Sequence, residues 1–186
     1  MAQAMEILRQ DHRNLTRLLA AAMRQVTRFE AGEKTDIDIV KAVADYCLTY
    51  PDLCHHPKED LVLAKLRRRD AAAALQVGRL EEEHQRLGEI TRRFAAALRI
   101  LLKQPDGERP AWFGDSARTF IAAYSRHMEV EELNFFPLAE KVLLEEDWAE
   151  VDHELEQMVD PLFGGRAEER FKVLRNEILL WDEAEP

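Results

Sequence analysis

With 186 residues, 46% of them hydrophobic and 33% charged, and a formal charge of −10, the chain has the make-up of amphipathic helices around one core rather than of a disordered segment. Seven glycines and seven prolines are too few for the turns of an all-β sandwich, and the acidic balance argues against a nucleic-acid partner. Two cysteines in a chain of this length predict reduced thiols in the cytoplasm, and the sequence contains neither a signal-peptide pattern at its start nor an apolar run long enough for a membrane span.

In chain order, Ile7, Leu8, Leu15, Leu18, Leu19, Ala22, Val26 and Phe29 recur at intervals of three and four, which predicts a helix from Gln3 to Phe29 stopped by Gly32. Thr35 to Asp38 carries capping side chains for a second helix, with Ile39, Val43, Tyr46, Cys47 and Tyr50 on one face. Pro51 and Pro57 predict a kink or break in it before it ends near Arg69, where Arg67, Arg68 and Arg69 complement the negative end of a helix. Asp70 is the predicted cap of a third helix that reaches about Lys103, with weak points at Gly78 and Gly88. A loop from Gln104 to Pro110 leads to a fourth helix from Ala111 to about Leu144, disturbed at Pro137. Asp147-Trp148-Ala149-Glu150 opens a fifth, to about Val159, and Pro161 to Gly165 separates it from a last helix between Glu168 and Trp181. Nothing reads as a strand.

A repeat links the first two long helices to the next two. His12 and His84, His55 and His127, and Glu59 and Glu131 are each 72 residues apart. Asp11-His12 with Leu15 falls over Glu83-His84 with Leu87, and Glu59-Asp60-Leu61 over Glu131-Glu132-Leu133. Six histidines make any given position a histidine about once in thirty, so a shared register is a signal. The predicted fold is all-α, an up-down-up-down four-helix bundle made of a duplicated helical hairpin over residues 1–145. Residues 146–186 form a C-terminal helical extension of the same single domain, 1–186.

His55 with Glu59 and His127 with Glu131 are four apart, so each pair projects from one helix face and reaches a common point. His12 and His84, from the other two helices, face inward at a similar depth. Burying four imidazoles and two carboxylates without partners would cost several kcal/mol, and metal is the simplest compensation. Six protein ligands are too many for one tetrahedral zinc, and no thiolate occupies a matched position. Two six-coordinate ions offer about twelve positions; two bridging carboxylates, four histidines and an oxo or hydroxo bridge leave about two open. The donors favour iron, with manganese or a mixed pair as alternatives.

In this order the residues resemble the hemerythrin-like, HHE cation-binding family. The elements that carry the resemblance are Asp11-His12, His55-His56-Pro57-Lys58-Glu59-Asp60, Glu83-His84, and His127-Met128-Glu129-Val130-Glu131-Glu132 followed by Phe135-Phe136-Pro137. It covers about residues 5 to 145, and Asp160-Pro161-Leu162-Phe163-Gly164 is similar to C-terminal extensions of bacterial members. The resemblance implies a left-handed bundle around a non-haem di-iron centre with His12, His55, Glu59, His84, His127 and Glu131 as ligands, the glutamates bridging. Oxygen-carrying members have a further histidine one turn after the third-helix ligand, where this chain has Gly88. The departure moves the expectation from oxygen carriage toward sensing of O2 or NO, redox chemistry or iron handling. Members that repair iron–sulfur centres are similar in having four histidines and two glutamates, and Glu83 beside His84 fits them.

His56 and Asp60 also stand four apart, but 72 residues on are Met128 and Glu132, so this pair is expected outside the ligand set, supporting it or exposed. His153 is expected at the surface and Cys54 as a small buried side chain. Tyr46, Tyr50 and Tyr124 are expected to pack in the core, and Phe135, Phe136, Trp112 and Met128 to form an apolar shell that keeps water from the centre. The acidic stretch Glu145 to Glu156 reads as a solvated helix face. The last helix, with Phe171, Leu174, Ile178, Leu179 and Trp181, covers the bundle or meets a second subunit, making the protein a monomer or a homodimer. The leading function is a di-iron protein that binds or senses O2 or NO or handles iron. The alternatives are an enzyme of oxidative or nitrosative defence and a metal-free helical interaction protein.

Overall fold

A computed structural model describes residues 2–104 and 108–155. The predicted last helix and the Pro161 to Gly165 break lie outside these residues. All described regular structure is helical, and no strand occurs among the described residues. Nor is any described helix long and apolar enough to cross a membrane.

The first long helix, α1 (Gln3–Glu30), ends where Gly32 adopts φ 78°. The second is composite: α2 (Ile37–Cys47) is capped by Asp36, continues into a π-helical turn at Pro51–His55 and then into α3 (His56–Arg69). After the single turn α4 (Ala71–Ala74) comes α5 (Leu80–Leu101). The fourth long helix is composite like the second, with α6 (Ala111–Val130), a π-helical turn at Glu131–Phe135 and α7 (Phe136–Val142). A shorter α8 (Glu145–Leu155) follows. α1 packs on α2 and α6, and α5 packs on the same two, which closes the four long helices into a bundle.

The apolar residues form two clusters. One gathers Leu15 to Phe29 of α1 with Tyr46, Phe94, Phe113 and Phe120. The other gathers Ala4, Met5 and Leu8 with Val62, Leu66, Phe135, Phe136 and Val151. Between Leu8 and Leu15 on α1, and between Leu80 and Leu87 on α5, the inward positions belong to neither cluster. That gap is where His12 and His84 stand, so a polar layer crosses the core between two dry ends.

Asp70 does not cap the third long helix. Its side chain accepts from the Ala73 N–H at 2.9 Å, which caps only α4, and a 3₁₀ turn at Leu75–Val77 runs into Gly78. Gly78 has φ 82° and ψ −141°, a conformation almost closed to residues with a Cβ, and this ends the first segment so that α5 starts at Leu80. Gly88, by contrast, sits inside α5 without interrupting it. No atom lies within 4 Å of a Cβ added at Gly78, so Gly78→Ala is expected to cost conformational energy alone. That is about 2 kcal/mol, seen as a melting temperature lowered by roughly 4–8 °C; an unchanged Tm would remove this account of the helix break.

The acidic stretch is more than a solvated face. Asp147 accepts from the Leu144 N–H at 3.0 Å and so caps α8, which starts two residues before the predicted position. Arg69 pairs with Glu146 and Asp147, Lys65 with Glu150, and Asp152 accepts from the Ala4 N–H at 2.7 Å. Pairs like these, each with a partner open to solvent, contribute about 0–1 kcal/mol each. The buried Val151 and Leu155 do more to hold α8 against α1 and α3.

Candidate metal centre

Both composite helices widen for the same reason. Pro57 and Pro137 each stand two residues after a π-helical turn. A proline inside a helix has no N–H to donate and its ring crowds the carbonyl four residues back. The backbone relaxes by reaching five residues back, with the His56 N–H donating to the Pro51 carbonyl and the Phe136 N–H to that of Glu131. His55 closes the first π turn, His56 and Glu59 open α3, and Glu131 opens the second π turn. His12, His84 and His127 come from the regular helices α1, α5 and α6.

These side chains meet in the polar layer as two donor groups, His12, His55, Glu59 and Glu131, and His56, Glu59, His84 and His127, the donor atoms of each lying within 4.8 Å of one another. Glu59 belongs to both. Its Oε1 is 3.3 Å from His55 Nε2 and 3.8 Å from His12 Nε2, while its Oε2 is 3.3 Å from His84 Nε2. Glu131 is placed in the same way, with Oε2 3.3 Å from His12 Nε2 and Oε1 3.1 Å from His127 Nε2 and 3.5 Å from His84 Nε2. Each carboxylate thus turns one oxygen toward each group, the posture of a bridging ligand.

The atoms converge without satisfying one another. Both oxygens of Glu59, Oε2 of Glu131 and both ring nitrogens of His127 are buried with no hydrogen-bond partner among the described residues. The Nε2 atoms of His12 and His55 face each other at 3.1 Å. Orphaned polar atoms at this depth are costly. Lone pairs from seven side chains aimed at two points fit two cations, and imidazole and carboxylate are suitable donors for first-row metals.

Carboxylates behind the rings fix this orientation. Asp11 lies 3.2 Å from His55 Nδ1, Glu132 3.0 Å from His12 Nδ1 and Asp52 3.3 Å from His56 Nδ1. Each such contact leaves Nε2 facing inward. Without metal, burial opposes charge on His55, but Glu59 and Asp11 outweigh it and raise the imidazole to about 10. Burial likewise opposes charge on His84, and Glu131 and Glu59 raise it to about 9. At His127 burial is not outweighed, and its pKa drops to about 3. The two carboxylates diverge: Glu59 is held well below the usual range by His55 and His84 against the pull of burial, whereas burial and the charge of Glu59 push Glu131 up.

All six residues singled out by the 72-residue register lie in this layer. His56, expected to stand outside the ligand set, is 5% exposed and a member of the second donor group, while Asp60 is exposed. The ring of His56 lies parallel to that of His84 with centroids 3.8 Å apart, on the side of α5 that carries Gly88. A Cβ at Gly88 would come within 3.2 Å of the Arg92 guanidinium and 3.7 Å of the Asp52 carboxylate. The imidazole that joins those of the repeat in the donor groups thus stands at the start of α3, and Gly88 offers none on the next turn of α5. No repeat could reveal it, since its counterpart is Met128; the signal was two adjacent histidines just before a helix-breaking proline.

The Tyr124 hydroxyl donates to the Cys47 carbonyl and accepts from Thr91, and that of Tyr50 accepts from Lys58, so each has a partner outside the two donor groups. Cys47 is buried, which pushes its thiol up to about 12, and Cys54 is half-buried against the apolar cluster. Phe136 stacks on His12 at 5.1 Å, and Phe135 and Met128 are buried. Trp112 does not belong to this shell: it is 39% exposed, and Ala111 beside it begins α6, roughly 24 Å along the helix from His127. His153 is exposed. An open cleft of about 730 Å³ reaches His56 and His84 past Asp52, Asp60, Gly88 and Arg92, and others reach His12 and His127.

No curated protein matches the chain significantly. The model of one protein family does, the hemerythrin HHE cation-binding domain, over residues 3–139, a span that contains every donor described above. By that match the chain belongs to the hemerythrin family of HHE cation-binding domains.

Proposed function

We propose that the chain holds two iron ions and, at a position the protein leaves open on one of them, binds a diatomic gas, O2 or NO. The observation that carries this reading is the donor set of five imidazoles and two carboxylates with oxygens divided between two groups. With one shared solvent-derived ligand, such a set accounts for about eleven of the twelve or so positions of two six-coordinate ions. His56 thus leaves about one position open where the repeat alone suggested two, a count suited to holding one small ligand. Neither cysteine belongs to a donor group, which favours iron over zinc. Bound iron would supply a redox-active Lewis acid, and the chain's own part is to orient the imidazoles through Asp11, Glu132 and Asp52, to exclude bulk water with Phe135, Phe136 and Met128, and to admit a small molecule by the cleft at His56 and His84.

Protein produced in iron-rich medium is expected to contain two irons per chain. After anaerobic reduction its absorption spectrum is expected to change on admission of O2 or NO and to return when the gas is removed. Fewer than one iron per chain, or a spectrum indifferent to both gases, overturns the reading. Sustained consumption of NO or peroxide with a chemical reductant favours the defence enzyme instead. His56→Ala is expected to weaken one of the two metal positions at least tenfold, since even partners behind the ligands carry 10–100-fold effects on affinity; two tightly held irons in that variant would return His56 to a supporting place.

A further inference from the structure

Lys58 is 2% exposed, an uncommon place for an ammonium group. Its Nζ donates to Asp11 Oδ2 at 2.8 Å and to the Tyr50 hydroxyl at 3.0 Å. The same Asp11 oxygen lies 3.2 Å from Nδ1 of His55, and Asp11 is itself buried. The result is a buried line of ammonium, carboxylate and imidazole that ends on the donor atom His55 Nε2. The other backing carboxylates differ: the side chains of Glu132 behind His12 and Asp52 behind His56 are 35% and 51% exposed, so water screens them. Charges in the interior act several-fold more strongly than charges in water. Only Lys58 among the described residues brings a buried cation to the carboxylate that backs a donor imidazole.

A carboxylate behind an imidazole draws on its Nδ1 proton and makes Nε2 a stronger donor, which favours the more highly charged, oxidised metal. We propose that Lys58, acting through Asp11, is a positioning residue that sets the redox potential of the metal facing His55: by holding Asp11 it weakens the pull on His55 and favours the reduced ion. This rests on the two-iron reading above. The charge also makes the two metal positions unequal, because the cation beside the carboxylate behind His56, Arg92, is exposed to water.

The test is the one-electron midpoint potential of the iron-loaded protein, read optically at pH 8, for the unaltered chain, Lys58→Met and Asp11→Asn. Folding is checked by circular dichroism and loading by iron content. At the midpoint of the unaltered protein, Lys58→Met is expected to lower the ratio of reduced to oxidised metal about tenfold, a shift of about 59 mV to more negative potential. Asp11→Asn, which removes the carboxylate and keeps the cation, is expected to shift the potential the other way. A purely structural role for Lys58 would alter loading or stability and leave both potentials in place. Folded, loaded variants whose ratios change less than threefold, or that shift in the same direction, overturn the proposal; if Lys58→Met does not fold, a negative or absent shift in Asp11→Asn overturns it alone. An unaltered chain that takes up no iron overturns the two-iron reading and this inference with it, whereas two irons with unmoved potentials in the variants overturn this inference only.

Discussion

Glu59→Gln is expected to reduce the metal content from two ions per chain to at most one, and to weaken whatever binding remains at least a hundredfold. Glu59 is fully buried and is the one residue common to both donor groups. Glutamine keeps the shape but replaces one oxygen by an NH2 group and removes the negative charge, so one of the two groups meets a donor hydrogen where it needs a lone pair. The metal-free protein should feel the change too. His55 and His84 are held protonated chiefly by Glu59 and by its neighbours Asp11 and Glu131, and removal of one partner from a buried ion pair leaves the other uncompensated. A loss of about 3 kcal/mol at neutral pH, or roughly 6–12 °C in Tm, is expected, limited by the ability of the imidazoles to give up their protons. Metal analysis and a thermal melt of the metal-free variant check both parts. Two tightly bound ions and an unchanged melt would place the bridging carboxylate elsewhere.

Metal uptake near pH 7 is expected to expel about two protons per centre. A metal ligand must be deprotonated, and in the metal-free chain the imidazoles of His55 and His84 hold their protons to about pH 10 and 9. His127, with its pKa near 3, is neutral already and contributes none. The apparent affinity of the pair of sites should therefore rise about a hundredfold per pH unit between pH 7 and 9 and level off above 10. Stability of the metal-free protein follows the same groups. The folded values of His55 and His84 lie above the ordinary 6.5, so their stabilisation is complete below pH 6.5 and is lost as the pH rises through 9 to 10. His127 works in the opposite sense, its contribution being present above pH 6.5 and lost as the pH falls toward 3. Binding calorimetry in two buffers of different ionisation enthalpy counts the protons. No release at pH 7 would mean that the imidazoles are neutral before the metal arrives.

The two results bear on each other. In Glu59→Gln an anion that helps to hold both protons is gone, so residual metal binding should release fewer protons than in the unaltered chain, while the acid-side behaviour due to His127 persists. A chelator added to loaded protein should lower its melting temperature. A ligand at a hundred times its dissociation constant stabilises the fold by about 2.7 kcal/mol per site.

Much of this was legible in the chain itself. The three- and four-residue spacing of apolar side chains states which face of a helix turns inward, and that is a local property, so α1 and α6 begin where the periodicity begins. The identical spacing of His12, His55 and Glu59 with His84, His127 and Glu131 carried the polar layer through a duplicated hairpin. Where the reading departed from the structure, the deciding contact was non-local or the backbone left the ideal helix. Gly78, noted only as a weak point, is where the chain turns and α5 becomes possible, whereas Gly88 disturbs nothing. The acidic face of α8 meets Lys65 and Arg69 on α3, partners some eighty residues away that no local pattern announces.

The sequence alone determined an all-helical chain with a repeated set of four histidines and two glutamates turned inward, because helical periodicity and residue spacing fix the direction of each side chain relative to its own helix. Only the tertiary structure decided that His56 joins a donor group, that Arg92 and Asp52 close in on Gly88, and that Lys58 meets the Asp11 carboxylate behind His55. Each depends on how far a π-helical turn rotates one segment and on what a second helix brings to meet it, and those are properties of packing between elements.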